Sequence, residues 1–136
     1  MSDEESYELL GFDNVLLSVG DLGEAVGFYG RAGFEVAFRL DEAGIALLKV
    51  GGETPGLLLR QEEALGHRPP PWAAPRVWLE VADARAAARA LTAAGVALLD
   101  EPFAVATGWT VEIADPWGNV IGLTDYRKRP ELGRRP

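Results

Sequence analysis

Apolar and polar residues follow the same order twice along this chain. Residues 12–19 alternate in the manner of a strand with one buried face. Asp21 then stands at a helix N-cap position, and apolar residues follow it at helical spacing: Leu22, Ala25, Val26 and Tyr29. Gly33 comes where a helix commonly ends in the left-handed conformation. This first segment therefore predicts a strand followed by an amphipathic helix.

The same pattern returns 62 positions further along, where Arg76–Leu98 aligns without gaps to Asn14–Val36. Seven aligned positions are identical, among them the two capping aspartates and the two terminal glycines. The repeat predicts a second strand at 76–81 and a second helix at 83–94.

Three further strands are predicted after each helix. They cover residues 34–40, 45–50 and 56–61 in the first copy and residues 96–99, 108–114 and 119–125 in the second. Residues 62–75 contain four prolines and predict a linker without regular structure. The predicted organisation is a first module at 10–61, a second at 76–126 and a basic flexible tail at 127–136. We expect an α+β fold in which two tandem βαβββ modules form a curved mixed sheet around a groove.

One face of the first strand of the second module combines an arginine, a tryptophan and a carboxylate. Its aliphatic residues occupy the alternate positions and should pack against the helix, which leaves Arg76, Trp78 and Glu80 on the opposite face. Thr110 and Glu112 share one face of a later strand in the same way. Such a face is either plain solvent surface or a binding surface, and alternation alone does not separate the two.

Composition excludes several kinds of site. The chain has 136 residues and no cysteine, which excludes disulfides, thiolate metal sites and cysteine nucleophiles. Its net charge is −8, and an acidic surface repels phosphates, so we expect no nucleic-acid partner. We also expect no membrane partner, because no apolar run approaches the length of a membrane span. The N-terminus lacks a basic region before an apolar stretch, so we expect a cytoplasmic location.

Two segments resemble a known family. FDNVLLSVGDLGEAVGFYGRAGFEV and EIADPWGNVIGL are similar to sequences of the vicinal oxygen chelate superfamily, which includes glyoxalase I, bleomycin-resistance proteins and extradiol dioxygenases. The motifs that carry the resemblance are V-x-D-L-x-x-A-x-x-FY-x-x-x-GF in the first module and DP-x-GN before the last strand. The resemblance covers residues 12–125 and implies the tandem-module fold. It implies less about function, because this fold hosts many chemistries.

The resemblance also implies positions for the ligands of a divalent metal. Family enzymes place one ligand on the first strand and one on the last strand of each module, usually His or Glu. The matching positions here are Asn14, Leu59, Arg76 and Gly122. Leucine and glycine offer no side-chain ligand, arginine is a cation, and asparagine alone cannot hold a transition metal. We therefore expect neither a metal nor a cofactor.

Other catalytic or metal-binding sets do not stand out. His67 is the only histidine and lies in the linker, where we interpret it as an exposed loop residue. Glu80 and Glu112 could together bind a hard cation weakly, or either could serve as a general base. The sequence contains no P-loop or G-x-G-x-x-G motif, and one linker histidine makes no convincing Ser/His/Asp set.

Aromatic residues are the main candidates for ligand contact. Trp78 shares its strand face with charged residues, which is unusual for a core tryptophan, and together with Trp109 and Phe38 it could stack on a planar ligand. Nearby carboxylates favour positive charge on that ligand. Trp72, set among the linker prolines, would suit a lid. The predicted ligand-binding set is Asn14, Phe38, Leu59, Gln61, Arg76, Trp78, Glu80, Trp109, Thr110, Glu112 and Gly122.

We weigh four functions. The first is a metal-independent binding protein of the bleomycin-resistance type that sequesters an aromatic natural product or antibiotic, and the resemblance implies a homodimer. The second is a metal-independent isomerase, lyase or cyclase, with Glu112 or Glu80 as the base and Arg76 as an anion clamp. The third is a metal-dependent glyoxalase or dioxygenase, for which the expected ligands are missing. The fourth is a protein that only binds a partner through its open sheet.

Overall fold

Two helices organise the fold. The computed structural model describes residue 8 and residues 10–62 and 76–134. Helix α1 spans Leu22–Arg31 and helix α2 spans Ala84–Ala93, which confirms the two helices that the repeat predicts.

Both helices begin and end through the residues that the sequence marks. The Asp21 carboxylate accepts a hydrogen bond from the backbone N–H of Glu24 at 2.7 Å, and Asp83 caps α2 in the same way. Gly33 and Gly95, just beyond the two helix ends, have φ of 101° and 82°. Because L-residues rarely adopt such angles, glycine suits these positions.

The first sheet contains four strands: β1 (Val15–Val19), β2 (Val36–Leu40), β3 (Ile45–Val50) and β4 (Glu53–Gln61). Their order is β1-β4-β3-β2. β1 and β4 run parallel, and the other neighbours run antiparallel.

The second sheet repeats this topology with β5 (Arg76–Glu80), β6 (Phe103–Val105), β7 (Gly108–Ala114) and β8 (Val120–Thr124). Their order is β5-β8-β7-β6. The edge strand β5 again runs parallel to its neighbour, here β8. The structure thus has two βαβββ modules, as predicted, and their strands are divided between two four-stranded mixed sheets.

One predicted strand of the second module is displaced. Within residues 96–99, only Leu98 forms an isolated bridge, to Ile113. The chain then turns at Asp100, whose carboxylate accepts the N–H of Glu101 at 2.8 Å, and Pro102 has no N–H to donate. The second strand of the module therefore starts at Phe103.

Most of the buried apolar residues of the two modules form one cluster. Leu17 and Leu59 represent the inner face of the first sheet, and Val111 and Ile121 represent that of the second. The opposite, open faces of the two sheets carry Leu16 and Phe38 in the first module and Trp78 and Glu112 in the second.

The turn between β7 and β8 joins the two modules. The Tyr29 hydroxyl of α1 donates to Asp115 Oδ2 at 2.9 Å, and Asn119 Nδ2 donates to the carbonyl of Ser18 at 2.9 Å. Asp115 also accepts hydrogen bonds from the backbone of its own turn. The predicted DPWGN turn is therefore also a contact between modules.

Most of the predicted linker lies outside the described residues. His67, Trp72 and the proposed lid fall within 63–75, which the structure does not describe. In the predicted tail, Pro130–Leu132 forms a short 3-10 turn, and Arg134 reaches Glu80. No described helix has the length and apolar character needed to cross a membrane.

Candidate functional site

Trp78, Gly122 and Glu112 lie side by side on the open face of the second sheet. In the strand register, Trp78 of β5 is opposite Gly122 of β8, and Gly122 is opposite Glu112 of β7. Residues opposite one another in a ladder share a face, so these three form one row across the sheet. The sequence alternation had already assigned Trp78 and Glu112 to open faces of their strands.

Gly122 provides the space in which the Trp78 indole lies. A Cβ atom added at Gly122 would come within 2.5 Å of Trp78 Cδ1 and 2.6 Å of Trp78 Nε1. The ring therefore extends over the neighbouring strand, and Nε1 donates to Glu112 Oε2 at 2.9 Å. Trp78 is 45% exposed even though its ring edge is fixed.

Glu112 holds both Trp78 and Arg76. Its second oxygen, Oε1, accepts a hydrogen bond from Arg76 Nη1 at 2.7 Å, and the residue is only 8% exposed. The Arg76 side chain is 49% exposed. The carboxylate is thus neutralised at the sheet surface, while the guanidinium and the indole remain open to solvent.

Phe103 and two threonines extend the surface around Trp78. The rings of Trp78 and Phe103 have centroids 6.3 Å apart and an interplanar angle of 58°. Thr110, which is opposite Phe103, and Thr124 are buried, and their hydroxyl oxygens are 2.7 Å apart in a hydrogen bond. Thr110 is therefore a buried support within the sheet, not an accessible ligand contact.

The open face of the first sheet is largely aliphatic. The register places Leu16, Leu58, Leu47 and Phe38 in one row across its four strands. Leu16 and Phe38 are exposed.

A polar group lies beside this apolar row. The Ser18 hydroxyl donates to the Glu62 carboxylate, which also pairs with Arg60. The hydrogen bond from Ser18 lowers the pKa of Glu62, and the charge of Arg60 lowers it further.

Leu59 does not reach the open face and corrects the alignment of the modules. It is fully buried in the core, and its neighbour Leu58 occupies the position in the first sheet that Gly122 occupies in the second. Helix capping supports the same alignment, because Gln61 and Asp125 both accept the first backbone N–H of the preceding helix. The expectation that Leu59 contacts a ligand is therefore wrong by one residue.

Gln61 is a helix-capping residue. Its Oε1 accepts the backbone N–H of Leu22 at 2.7 Å. Its amide oxygen stabilises the start of α1, so the structure gives it a structural role in place of the predicted ligand contact.

Trp109 lies on the opposite face of β7 from Glu112. The Arg85 guanidinium is 4.4 Å from the centroid of its ring, and Lys128 Nζ is 5.5 Å from it. The ring thus connects α2 with the C-terminal segment through cation–π contacts and does not stack beside Trp78.

Glu80 is occupied by the C-terminal segment. Its carboxylate accepts the backbone N–H and the Nη1 of Arg134, both at 2.9 Å. Glu80 lies on the same face of β5 as Trp78, but the structure does not join it to Glu112 as a carboxylate pair.

The side chains at the family's metal-ligand positions do not fit a divalent metal. Asn14 Oδ1 accepts the backbone N–H of Gly56 at 2.9 Å, and Arg76 is paired with Glu112. Leu58 offers hydrocarbon, and the indole of Trp78 covers Gly122. Among the described residues, no three His, Cys, Asp or Glu side chains come together as a metal cluster.

Sequence reasoning missed Leu58 and Phe103 as residues of the open faces. Leu58 was missed because the two modules were aligned one residue out of register at Leu59. The shared capping role of Gln61 and Asp125, which corrects that alignment, is seen only in the structure. Phe103 was missed because the second strand of the second module was predicted too early in the chain.

The sequence model of the Glyoxalase/Bleomycin resistance protein/Dioxygenase superfamily matches residues 11–123. The chain therefore belongs to this superfamily, which confirms the resemblance to the vicinal oxygen chelate fold. None of the curated proteins matches the chain significantly.

Solved structures share the fold at low sequence identity. A glyoxalase/bleomycin resistance protein/dioxygenase from Nocardioides is 18% identical with a TM-score of 0.68, covering 98% of this chain and 95% of its own. Lactoylglutathione lyase from Agrobacterium tumefaciens is 19% identical with a TM-score of 0.65, and the match covers 91% of this chain and 99% of the lyase. TioX from Micromonospora sp. ML1 is 21% identical with a TM-score of 0.65, and the match covers 85% of this chain and 99% of TioX. These similarities establish the fold alone.

Proposed function

We propose that this chain is a metal-independent binding protein that sequesters an aromatic natural product or antibiotic. The observation that carries the proposal is the Trp78 indole, held across Gly122 by its hydrogen bond to Glu112 and still nearly half exposed. A flat ring fixed on an open sheet face is suited to stacking on another flat ring.

Fixing the indole before a ligand arrives favours binding. Ordering a mobile side chain on association costs about 0.5–1.5 kcal/mol. Trp78 has already incurred much of that cost, because Glu112 binds its Nε1 and the sheet lies beneath its ring. Its exposed surface is therefore available for contact with a ligand.

The residues at the family's metal positions support the metal-independent part of the proposal. Arg76 brings positive charge to one position, and the Trp78 indole covers another at Gly122. A divalent cation would meet a guanidinium there without the anionic or imidazole ligands it needs. We expect ligand binding to persist in the presence of EDTA.

A metal-independent enzyme is the second candidate, since Glu112 is a buried carboxylate on the open face and one structural neighbour is named a lyase. Both oxygens of Glu112 accept hydrogen bonds from neighbouring side chains. This arrangement suits a residue that positions Trp78 and Arg76 better than one that removes a proton from a substrate. Binding without turnover is therefore the leading proposal.

We also propose that the protein forms a homodimer through the apolar open face of the first sheet. Leu16, Phe38 and Leu40 are exposed on this face, and apolar patches of this kind mark association surfaces.

Sedimentation velocity on wild type and Phe38→Glu should show a dimer and a monomer, respectively. Leu132→Glu, at an exposed leucine elsewhere on the chain, is the control and should remain dimeric. A monomeric wild type would contradict the proposal.

The binding function is tested by titrating EDTA-treated protein with flat aromatic antibiotics and following tryptophan fluorescence. Bleomycin-type, mitomycin-type and enediyne compounds form the panel. We expect saturable quenching by at least one compound, which is then recovered chemically intact. Trp109→Phe should retain this quenching because Trp109 lies on the other face of β7.

Two results would contradict the proposed function. Flat titrations across the panel would remove the sequestering role, and recovery of a chemically altered compound would favour the enzyme.

A further inference from the structure

The charges around Trp78 point to the chemistry of the ligand. Glu112 is bound by Arg76 and Trp78, and Glu80 is bound by Arg134. Both carboxylates on the open face of β5 and β7 therefore already have cationic or N–H partners. Their negative charge is largely used within the protein, although the sequence alone favoured a cationic ligand.

Arg76 is an accessible charged group beside the indole. Its side chain is 49% exposed, against 9% for the side chain of Glu112. A guanidinium has five N–H donors, and within the described residues Arg76 donates one hydrogen bond, from Nη1 to Glu112. It can therefore receive a further acceptor from solvent.

The guanidinium and the indole are held at a short separation. Arg76 Nη1 and Trp78 Nε1 bind the two oxygens of the same carboxylate, at 2.7 and 2.9 Å. A ring stacked on Trp78 would thus bring its edge, or a substituent on that edge, to Arg76. An oxyanion at this place would gain a charge-assisted hydrogen bond, whereas an ammonium group would be repelled.

The negative charge of the whole chain acts over a longer range. The net charge of −8 attracts cations to the protein in general. Salt screens that attraction over about 8 Å at physiological ionic strength, but it screens a direct contact with Arg76 much less. The charge of Arg76, which contacts the ligand directly, therefore decides which ligand binds.

We infer that the ligand is a planar aromatic molecule with an anionic oxygen substituent, such as a carboxylate or phenolate, which Arg76 binds while the ring stacks on Trp78. This inference rests on the proposed function, because it assigns the ligand class of the same site.

Three anthracene probes with different substituents at the 2-position test the inference. Anthracene-2-carboxylate is anionic, 2-(hydroxymethyl)anthracene is neutral and 2-(aminomethyl)anthracene is cationic at pH 7. Titrations with EDTA-treated protein should show the anion bound about tenfold more tightly than the cation, as one charge-assisted hydrogen bond provides.

Two variants change the preference in opposite directions. Arg76→Gln removes the positive charge and should abolish the preference for the anion. Glu112→Gln leaves the guanidinium without its counter-charge and should increase the ratio of anion to cation affinity.

The outcomes separate this inference from the function on which it rests. Tightest binding of the cation, equal binding of all three probes, or an anion preference that survives Arg76→Gln would overturn the inference and leave the stacking site in place. Failure of every probe to bind would contradict the stacking site itself, and both proposals with it.

Discussion

Gly122 decides where the Trp78 indole can lie. Because glycine has no Cβ, the ring can cross from β5 over β8 and reach Glu112 on β7. The row of these three residues combines a flat apolar surface with a fixed polar edge. A substitution at the glycine should therefore affect binding through the tryptophan.

We predict that Gly122→Ala weakens binding of a flat aromatic ligand about tenfold. The added methyl group would lie 2.5 Å from Trp78 Cδ1 and would push the ring away from Glu112. Because the displaced atoms belong to the Trp78 side chain and not to the backbone, the melting temperature should stay close to that of wild type while the affinity for the ligand falls. Gly30→Ala, where a Cβ meets open space, is the matched control and should bind as wild type does.

Wild-type affinity in the alanine variant would show that the position of the indole is not important for binding. A loss of folded structure in Gly122→Ala, seen by circular dichroism, would show that the glycine supports the sheet itself.

The predictable part of the site is explained by strand alternation. Trp78, Arg76 and Glu112 were predicted on open faces because alternation depends only on neighbouring residues. Alternation within β7 also separates Trp109 from Glu112, so its placement beside Trp78 was an error that the sequence could have avoided. The hydrogen bonds to Glu112 depend on strand pairing, which a single sequence does not reveal.

At the scale of the elements, the last strand of each module caps the helix that precedes it in the chain. Gln61 accepts the N–H of Leu22, and Asp125 accepts the N–H of Ala84 at 2.7 Å. Both residues end a predicted strand, so the sequence suggested no capping role for them. The N-cap aspartates, by contrast, were predicted because capping is local and Asp is preferred at that position.

Asp125 also links α2 to the start of β7. Burial raises the pKa of its carboxyl, but hydrogen bonds from the backbone N–H groups of Ala84, Trp109 and Arg127 lower it by more, so the pKa lies below its usual range. A carboxyl with a lowered pKa stabilises the folded state at pH above its unfolded value, about 3.9. That contribution is lost as the pH falls through the folded value.

We predict that Asp125→Asn lowers the free energy of unfolding by about 1–3 kcal/mol at pH 7, because buried N–H donors lose a charged acceptor. The difference from wild type should begin to decrease below about pH 4, where the carboxyl of the unfolded chain takes up a proton, and should disappear as the pH falls through the lowered pKa of the folded carboxyl. Urea unfolding at a series of pH values measures both effects. Asp41→Asn, at an exposed ion pair with Arg39, is the control and should change stability by less than about 0.5 kcal/mol.

If the variant loses the same free energy of unfolding at every pH between 3 and 7, the charge of Asp125 is unimportant and only the shape of its side chain is required.

At the scale of the whole molecule, the two modules depend on a buried contact between Tyr29 and Asp115. The hydroxyl of Tyr29 donates to Asp115 Oδ2 at 2.9 Å, and both residues are buried. Burial raises the pKa of Tyr29 well above its usual range, and the Asp115 carboxylate raises it further. The hydroxyl therefore remains protonated, and a hydrogen-bond donor, at neutral pH.

We predict that Tyr29→Phe lowers the free energy of unfolding by about 1–3 kcal/mol. The aromatic contacts with Phe28 and Phe34 remain, but Asp115 loses one donor in a buried place. Urea unfolding followed by circular dichroism measures the loss. A variant as stable as wild type would show that the turn's own hydrogen bonds are sufficient to hold Asp115.

The overall architecture could be predicted because the chain repeats itself. The identical positions of the two copies indicate that both copies contain the same strands and helix in the same order. The match to the superfamily model over residues 11–123 confirms the fold that this repeat predicts. The contact between Tyr29 and Asp115 joins residues from different copies, 86 positions apart, and a repeat says nothing about how its copies pack.

Calorimetric titration of EDTA-treated wild type and Trp78→Ala with a flat aromatic ligand measures whether the Trp78 indole binds ligand without a metal. We expect saturable binding by wild type without metal and a loss of about 1–3 kcal/mol of binding free energy in Trp78→Ala, as for an aromatic residue at the centre of a contact. Equal affinity in the two proteins, or binding that appears only after a divalent metal is added, would contradict this expectation.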